Sequence, residues 1–288
     1  MSSKQVSLEE AVAQIPDGAT VAIGGSSLSR KPMALVRALA RSSVRDLDLV
    51  VDVGGPDIDL LIGCNKVRRL RYAYVGFELL GLAPHFRRAR QEGSLEFEEW
   101  TEYTVMAGLD AHIKGVGFLP TRTGLGTDLL TVNRSFRLIE DPFTGQNLVA
   151  VPAIAPDVAL IHVNVADRAG NAVILGDAHI DALCAKAART TIISTEAVVD
   201  EAELQRYGRD IQIPRIYVQA VAEAPWGAHF TACAPSYRVD MEAIEDYLEA
   251  ARQPDSWQAY LERAVLVSEE TRVASLGGAE RLIGRLWV

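Results

Sequence analysis

Cysteine is scarce in this chain, and what is present is badly placed for cross-linking. Cys64, Cys184 and Cys233 are too widely spaced for a disulfide framework or a zinc ribbon. They read as inert buried thiols. Basic residues are outnumbered, 29 Lys and Arg against 38 Asp and Glu, for a formal charge of −9. A duplex nucleic-acid binder or an anionic-membrane binder needs a basic face, so neither is expected. Long apolar runs are missing too. Stretches such as residues 149–154 are far shorter than the ~20 residues of a membrane-spanning helix. The start, Met1-Ser2-Ser3-Lys4-Gln5, has no basic region followed by an apolar run, so no signal peptide is read and a cytoplasmic protein is expected. The five histidines are scattered. His112, His179 and His229 lack a paired ligand one helical turn away, so no metal is expected, and His162 reads as a satisfied core residue. There is no Gly-x-Ser-x-Gly elbow and no Walker A loop.

What is present is a globular composition, 49% apolar and 23% charged, with 22 Gly and 12 Pro. Ser7-Leu8-Glu9-Glu10 has capping-box spacing. A short apolar strand, 19–23, runs into Gly24-Gly25, and Pro32 opens a helix. Further strands are predicted at 47–51, 71–75, 95–98, 157–163, 190–194 and 215–221, with helices at 83–91 and 179–188. The near-continuous apolar run at 157–163 marks a strand covered on both faces. The order strand, glycines, helix, strand predicts a mainly parallel sheet. The economical reading is one α/β unit, 1–235, carrying a helical C-terminal extension, 236–288.

Three constellations carry possible chemistry. Gly24-Gly25, between a strand and a helix, suits a phosphate, a carboxylate or a thioester oxygen, or is simply a tight turn. Gly124-Leu125-Gly126-Thr127, after Arg122, suits an acyl oxygen or carboxylate, or is a surface loop. Trp100-Thr101-Glu102-Tyr103 has two readings. If the strand from Leu95 extends, Trp100 and Glu102 share a face, and a carboxylate flanked by aromatics becomes a usable general base. Alternatively Thr101 caps a helix and Glu102 occupies its first turn.

Taken together, these segments resemble the α subunit of the 3-oxoacid CoA-transferases of the acetoacetate and glutaconate type. That family opens with Asp/Asn-Gly, a short apolar strand, Gly-Gly-Phe and a Gly-x-Pro. The match here runs Asp17-Gly18-Ala19-Thr20-Val21-Ala22-Ile23-Gly24-Gly25 to Pro32, with Ser26 for the Phe and Arg30 for the later Gly. It continues through Tyr74-Val75-Gly76, residues 93–98, Thr123-Gly124-Leu125-Gly126-Thr127, Asp167-Arg168-Ala169-Gly170-Asn171-Ala172 and Ala185-Lys186-Ala187-Ala188. The resemblance implies a three-layer α/β/α sandwich, a CoA-thioester substrate and a homologous β subunit, in an α2β2 heterotetramer. Where ordinary transferases carry Gln after the Leu-Glu strand, this chain carries Glu102, and their nucleophilic glutamate lies on the β chain. An α chain with its own carboxylate resembles the actinobacterial branch that hydrolyses a carbon–carbon bond in the last cholesterol ring. Trp100 and Pro225-Trp226-Gly227-Ala228-His229 also resemble that branch. The resemblance implies Glu102 as general base and oxyanion donors near Gly24, Gly25, Gly124 or Gly126. It also implies Arg30 or Arg122 on a substrate carboxylate. No metal or redox cofactor is implied, CoA being part of the substrate. The other readings are a true transferase with Glu102 structural, and a non-catalytic acyl-CoA-binding subunit.

Overall fold

The computed structural model describes residues 3–277. The chain opens with α1 (Leu8–Val12), closed by the capping box its spacing predicts: Ser7 Oγ accepts from the Glu10 N–H, and the Glu10 carboxylate accepts from the Ser7 N–H. Then come β1 (Thr20–Ile23), α2 (Met33–Arg41), β2 (Leu47–Gly54), α3 (Pro56–Gly63), β3 (Val67–Val75), α4 (Pro84–Glu92), β4 (Glu96–Glu99) and α5 (Glu102–Ile113). The middle of the chain forms β5 (Phe118–Thr121), α6 (Leu129–Val132), β6 (Arg137–Glu140), β7 (Asn147–Pro152), β8 (Val158–Asp167), β9 (Ala172–Val173) and α7 (Asp181–Ala187). It is followed by β10 (Thr190–Val199), α8 (Glu201–Leu204), β11 (Ile211–Ile213) and β12 (Val218–Glu223). The C-terminal helices are α9 (Met241–Ala250), α10 (Pro254–Tyr260) and α11 (Glu269–Ser275). The expected helical extension also covers 278–288, which lie outside the described residues.

Seven strands run parallel in the order β4-β3-β2-β1-β8-β10-β12; β9 pairs antiparallel with β8 at Val165 and Ala166, on the edge that β1 leaves free, and β11 pairs antiparallel with β9. β2 and β8 are buried at every position, as a strand covered on both faces must be. Alternation then divides the core in two. Val21, Ile23, Leu49, Val51 and Leu160 face α2, α3, α4 and α9. Ala22, Val50, Ala159 and Ile161 face α5 and α7. The three layers are those of an α/β/α sandwich. The first chain segment winds from β1 outward to β4, and the chain then returns to the other side of β1. Ligands of open α/β sheets bind at such a reversal, beyond the C-terminal ends of the strands. Here that point has a definite shape. Ile23, the end of β1, is level with Val51 and Leu160, whereas β2 continues to Gly54 and β8 to Asp167. A notch two strand spacings wide, roughly 10 Å, is left between them, and β9 closes it above by pairing with Val165 and Ala166 of β8.

Three local expectations need revision. The strand expected from Arg215 begins at Val218, because the Tyr217 N–H donates to the Pro214 carbonyl and closes a 3₁₀ turn. The strand from Leu95 stops at Glu99 rather than extending to Glu102. A small antiparallel sheet, β5-β7-β6, was not anticipated; Val149 and Val151 press it onto the α5 side of the core.

The C-terminal helices are bound to the main core through Tyr247, which is fully buried among Phe77, Phe230, Trp257 and Tyr260. Its hydroxyl donates to Asp59 Oδ2 at 2.7 Å. At the other end of the extension, Glu269 lies between Arg37 (2.6 Å) and Arg272 (3.0 Å). Burial pushes the Glu269 carboxyl up, but Arg37 and Arg272 outweigh it and hold it at about 2. An unfolded glutamate titrates near ~4.3, so the stabilisation is complete above that pH and is lost as pH falls toward about 2. Glu269→Gln is therefore expected to lower neutral-pH stability by ~2–3 kcal/mol and to flatten the acid limb of the stability profile. Urea unfolding across pH 2–7 checks this, and an unchanged acid limb contradicts it.

Candidate active site

Because β1 is short, the segment after it must fill the notch, and it does so with charge. Asp181, at the start of α7, enters beside Gly24: a Cβ on Gly24 would lie 2.0 Å from Asp181 Oδ1. The Gly25 N–H donates to that oxygen at 2.7 Å, and the Gly24 N–H donates to the Leu160 carbonyl at 2.9 Å. The donors expected to meet a ligand anion are thus occupied by the chain itself. Gly25 has φ +71°, and a Cβ there would stand 2.6 Å from the Arg30 carbonyl, so glycine is required.

Arg30 is corrected in the same way. It is 1% exposed, pairs with Asp181 Oδ2 at 2.6 Å and donates to the carbonyls of His162 and Asp177. Its guanidinium is buried among these partners and is not presented to a substrate carboxylate. Lys31 is equally buried, 3.2 Å from Asp57 Oδ2 and bonded to the carbonyls of Gly24 and Gly25. The Gly55 N–H donates to the other Asp57 oxygen at 2.7 Å. A third acid, Asp52 near the end of β2, is 0% exposed, and His179 Nε2 stands 3.0 Å from its Oδ2.

Glu102 sits at the first position of α5. Thr101 caps the helix by accepting from the Thr104 N–H (3.2 Å), and Thr104 Oγ1 accepts in return from the Thr101 N–H (2.8 Å). This is the helix-start reading, and it separates the residues the strand reading put together. Trp100 is 3% exposed and packs edge-on against Phe136, whereas Glu102 is exposed beside an exposed Tyr103. Within this chain the carboxylate is in water, favourably placed at the positive end of the helix. Trp100 also borders a cavity of about 450 Å³ shared with Arg71, Glu98 and Ser135, and its Nε1 has no hydrogen-bond partner among the described residues. Arg122 is exposed and forms no ion pair among the described residues. Gly124 (φ +91°) and Gly126 (φ +73°) shape the loop after it. Asn133 donates to the Glu99 carbonyl at 2.8 Å and ties the far end of that segment to the strand that leads into Glu102.

A second polar cluster lies across β8 and β10. His162 Nδ1 is 2.9 Å from Ser194 Oγ and its Nε2 is 2.8 Å from Glu196 Oε1. Glu196 also accepts from the N–H groups of Trp226 and Gly227 and from the Tyr237 hydroxyl. Burial pushes Glu196 up, but His162, Tyr237 and these N–H groups bring it below the usual carboxylate range. His162 is the satisfied core histidine that its strand implied. Cys233 lies close enough to His162 and Glu196 for the three to share an ion, but the His and Glu donors are spent on the hydrogen bonds just given. Burial raises all three thiols, Cys64 to about 11 and the others further.

The parallel sheet, the notch and this set of segments define the class. The chain belongs to the coenzyme A transferase family, whose family model matches residues 5–224. It is similar to the cholesterol ring-cleaving hydrolase IpdA subunit of Rhodococcus jostii, at 38% identity over 95% of each chain. Its structure is similar to that of glutaconate coenzyme A-transferase from Acidaminococcus fermentans, with TM-score 0.94 and 29% identity over 99% of this chain and 96% of that one. It is also similar to the decarboxylase AibA/AibB, with TM-score 0.82 and 34% identity over 91% of this chain and all of the other. Among the described residues no helix is long and apolar enough to cross a membrane.

Sequence reasoning missed Lys31, Asp52, Asp57, Asp181 and the His179 contact. A signal was there: an Asp inside the apolar run Leu49-Val50-Val51-Asp52-Val53, near the end of a parallel strand, has no place in a core unless something meets it. Breaking a buried ion pair from one side strands the other charge. Asp181→Ala is expected to cost about 3–5 kcal/mol, and Gly24→Ala to disrupt the same contact by intrusion. Chemical denaturation of both variants checks this, and wild-type midpoints would refute it.

Proposed function

We propose that the chain is the α-type subunit of a two-chain hydrolase that opens a steroid-derived ring, held as a CoA thioester, by carbon–carbon bond hydrolysis. The observation that carries this is Glu102: an exposed carboxylate with no ion pair among the described residues, at the start of α5 on the C-terminal edge of the sheet. The likeness to a ring-cleaving hydrolase subunit over nearly the whole chain supports it. So does the likeness to a decarboxylase, since this fold then also serves a reaction other than group transfer.

The substrate class is an unsaturated cyclic β-keto thioester. Glu102 takes a proton from water, which attacks the ring ketone directly or after conjugate addition. Collapse of the adduct breaks the bond to the carbon next to the thioester, and the electron pair is held as the thioester enolate. The Gly124 and Gly126 N–H groups, without a partner among the described residues, are candidate oxyanion donors on this chain, each worth about 3–4 kcal/mol in comparable sites. Arg122 is the remaining candidate for a charge-assisted pair with a substrate carboxylate. The chemistry calls on no metal or redox group, and CoA enters as part of the substrate. A cytoplasmic setting suits that substrate class.

A homologous β subunit completes the site, in an α2β2 assembly. Leu79 (104% exposed), Leu82 (59%) and Tyr103 (53%) follow the C-terminal ends of β3 and β4 and present apolar surface on the sheet edge that carries Glu102. Obligate interfaces commonly bury at least ~2,000 Å², and cover from the partner would supply the desolvation that Glu102 lacks in the single chain. A second reading, a CoA-transferase α subunit with its nucleophile on the β chain, is favoured by the likeness to glutaconate coenzyme A-transferase across 99% of this chain.

Glu102→Gln, made in the co-purified complex, is expected to lower kcat 10²–10⁴-fold with the thioester still bound. The transferase reading makes the same change nearly harmless, because glutamine is what transferases carry there. Steady-state turnover of a ring thioester at the wild-type rate would end the hydrolase reading. Arg122→Ala is expected to raise KM with little change in kcat, the pattern of uniform binding. If the variant and wild type lose nothing when the substrate carboxylate is removed, Arg122 has no such role.

A further inference from the structure

Asp52 and His179 remain after the notch charges and Glu102 are assigned. Asp52 is fully buried and faces the α5 and α7 side of the sheet, alongside Val50. No described donor makes an aligned hydrogen bond to either of its oxygens; the group that meets it is His179 Nε2, at 3.0 Å. A buried carboxylate this poorly served is costly unless its partner carries charge. The neighbouring groups point the same way. Asp57 holds Lys31 and Asp181 holds Arg30, so each of those acids has its own basic partner, and His179 is the basic group left for Asp52. The contact with Asp52 raises the His179 pKa, burial opposes it, and Asp177 and Asp181 add to the rise.

His179 is also held in a conformation that its residue type does not favour. Its φ is +40°, in the left-handed region that side chains other than glycine rarely occupy. The ring is 15% exposed, and Nδ1 makes no hydrogen bond to any described residue. One ring nitrogen is therefore anchored to a buried acid and the other is free at the rim. α5 and α7 pack against each other on the same sheet face. α5 starts after β4, which runs parallel to β2 and β3, and α7 starts at the notch. Glu102 and His179 thus stand at the starts of neighbouring helices, on one face and one edge.

We propose that His179, positioned by Asp52, is the proton donor to the carbon released when the ring bond breaks, a role that rests on the hydrolase reading above. The step balances. Glu102 takes one proton from water, and the resulting hydroxide forms the new C–O bond at the ketone carbon. The C–C bond breaks with its electron pair on the thioester α-carbon, and that carbon takes the proton from His179. The proton on Glu102 then restores His179 through solvent, for a net addition of one water.

The test uses the co-purified complex and two probes, 2-oxocyclohexane-1-carbonyl-CoA for ring opening and its product heptanedioyl-CoA for exchange of the thioester α-hydrogens in D2O. Wild type is expected to exchange the product hydrogens. His179→Gln is expected to lose exchange at least 10²-fold and ring opening by a similar factor. Because the donor must carry its proton, the wild-type ring-opening rate falls as pH rises through the His179 pKa. Asp52→Asn, isosteric but uncharged, is expected to move that limb to lower pH while leaving the imidazole in place. Exchange that survives in His179→Gln, an unmoved limb in Asp52→Asn, or no exchange by wild type overturns the assignment. Exchange that depends on His179 without any ring opening keeps the donor and removes the hydrolase reading instead.

Discussion

The buried pair between Arg30 and Asp181 is the interaction on which the rest of this structure depends. Neither charge can be left without the other once water is excluded, so the loop after β1 and the start of α7 must arrive at one point together. Everything near that point accommodates the pair. Gly24 lacks a side chain because Asp181 occupies the space, and Gly25 takes a positive φ because its N–H must face the same carboxylate. The donors of Arg30 that Asp181 does not use reach the carbonyls of His162 and Asp177, joining β8 and the approach to α7. Lys31 and Asp57 repeat the arrangement one step along, between the β1 loop and α3. Charge thus does at the strand ends what apolar packing does along the strands.

The parts of the fold legible in the sequence were those governed by short-range pattern. The apolar run through Ile161 announced a doubly covered strand, Ser7 and Glu10 a capped helix, and Gly24-Gly25 before Pro32 a strand-to-helix turn. What was hidden came from partners distant in sequence. Nothing local says that Asp181 will fill the space beside Gly24, or that Arg30 will be consumed there, since they meet across more than a hundred residues. The anion that the Gly24-Gly25 turn receives is the chain's own Asp181. At Trp100 and Glu102 two periodicities competed over four residues. Thr101 and Thr104 decide for the helix by satisfying each other's N–H groups, which an extended strand would leave to other partners.

This division separates what the fold demands from what a reaction would use. The notch charges are internal, paired with one another and occupied with holding the sheet to its helices. Glu102 and Arg122 stand outside that lattice, exposed on segments that Asn133 ties to the edge of β4. A fold arranged this way can exchange one rim residue for another without disturbing the charges beneath. That is a physical reason why a transferase, a decarboxylase and a ring-cleaving hydrolase can all be similar to one chain.

The notch itself has a dimension that no side chain sets. Its walls are β2 and β8, both hydrogen-bonded to β1 below, so their separation above Ile23 is twice the spacing of paired strands. Backbone geometry therefore acts as a gauge block: groups mounted on the two walls keep their span whatever residues surround them. A site built on that rim need only adjust reach, by side-chain length, because the baseline is already calibrated by the sheet.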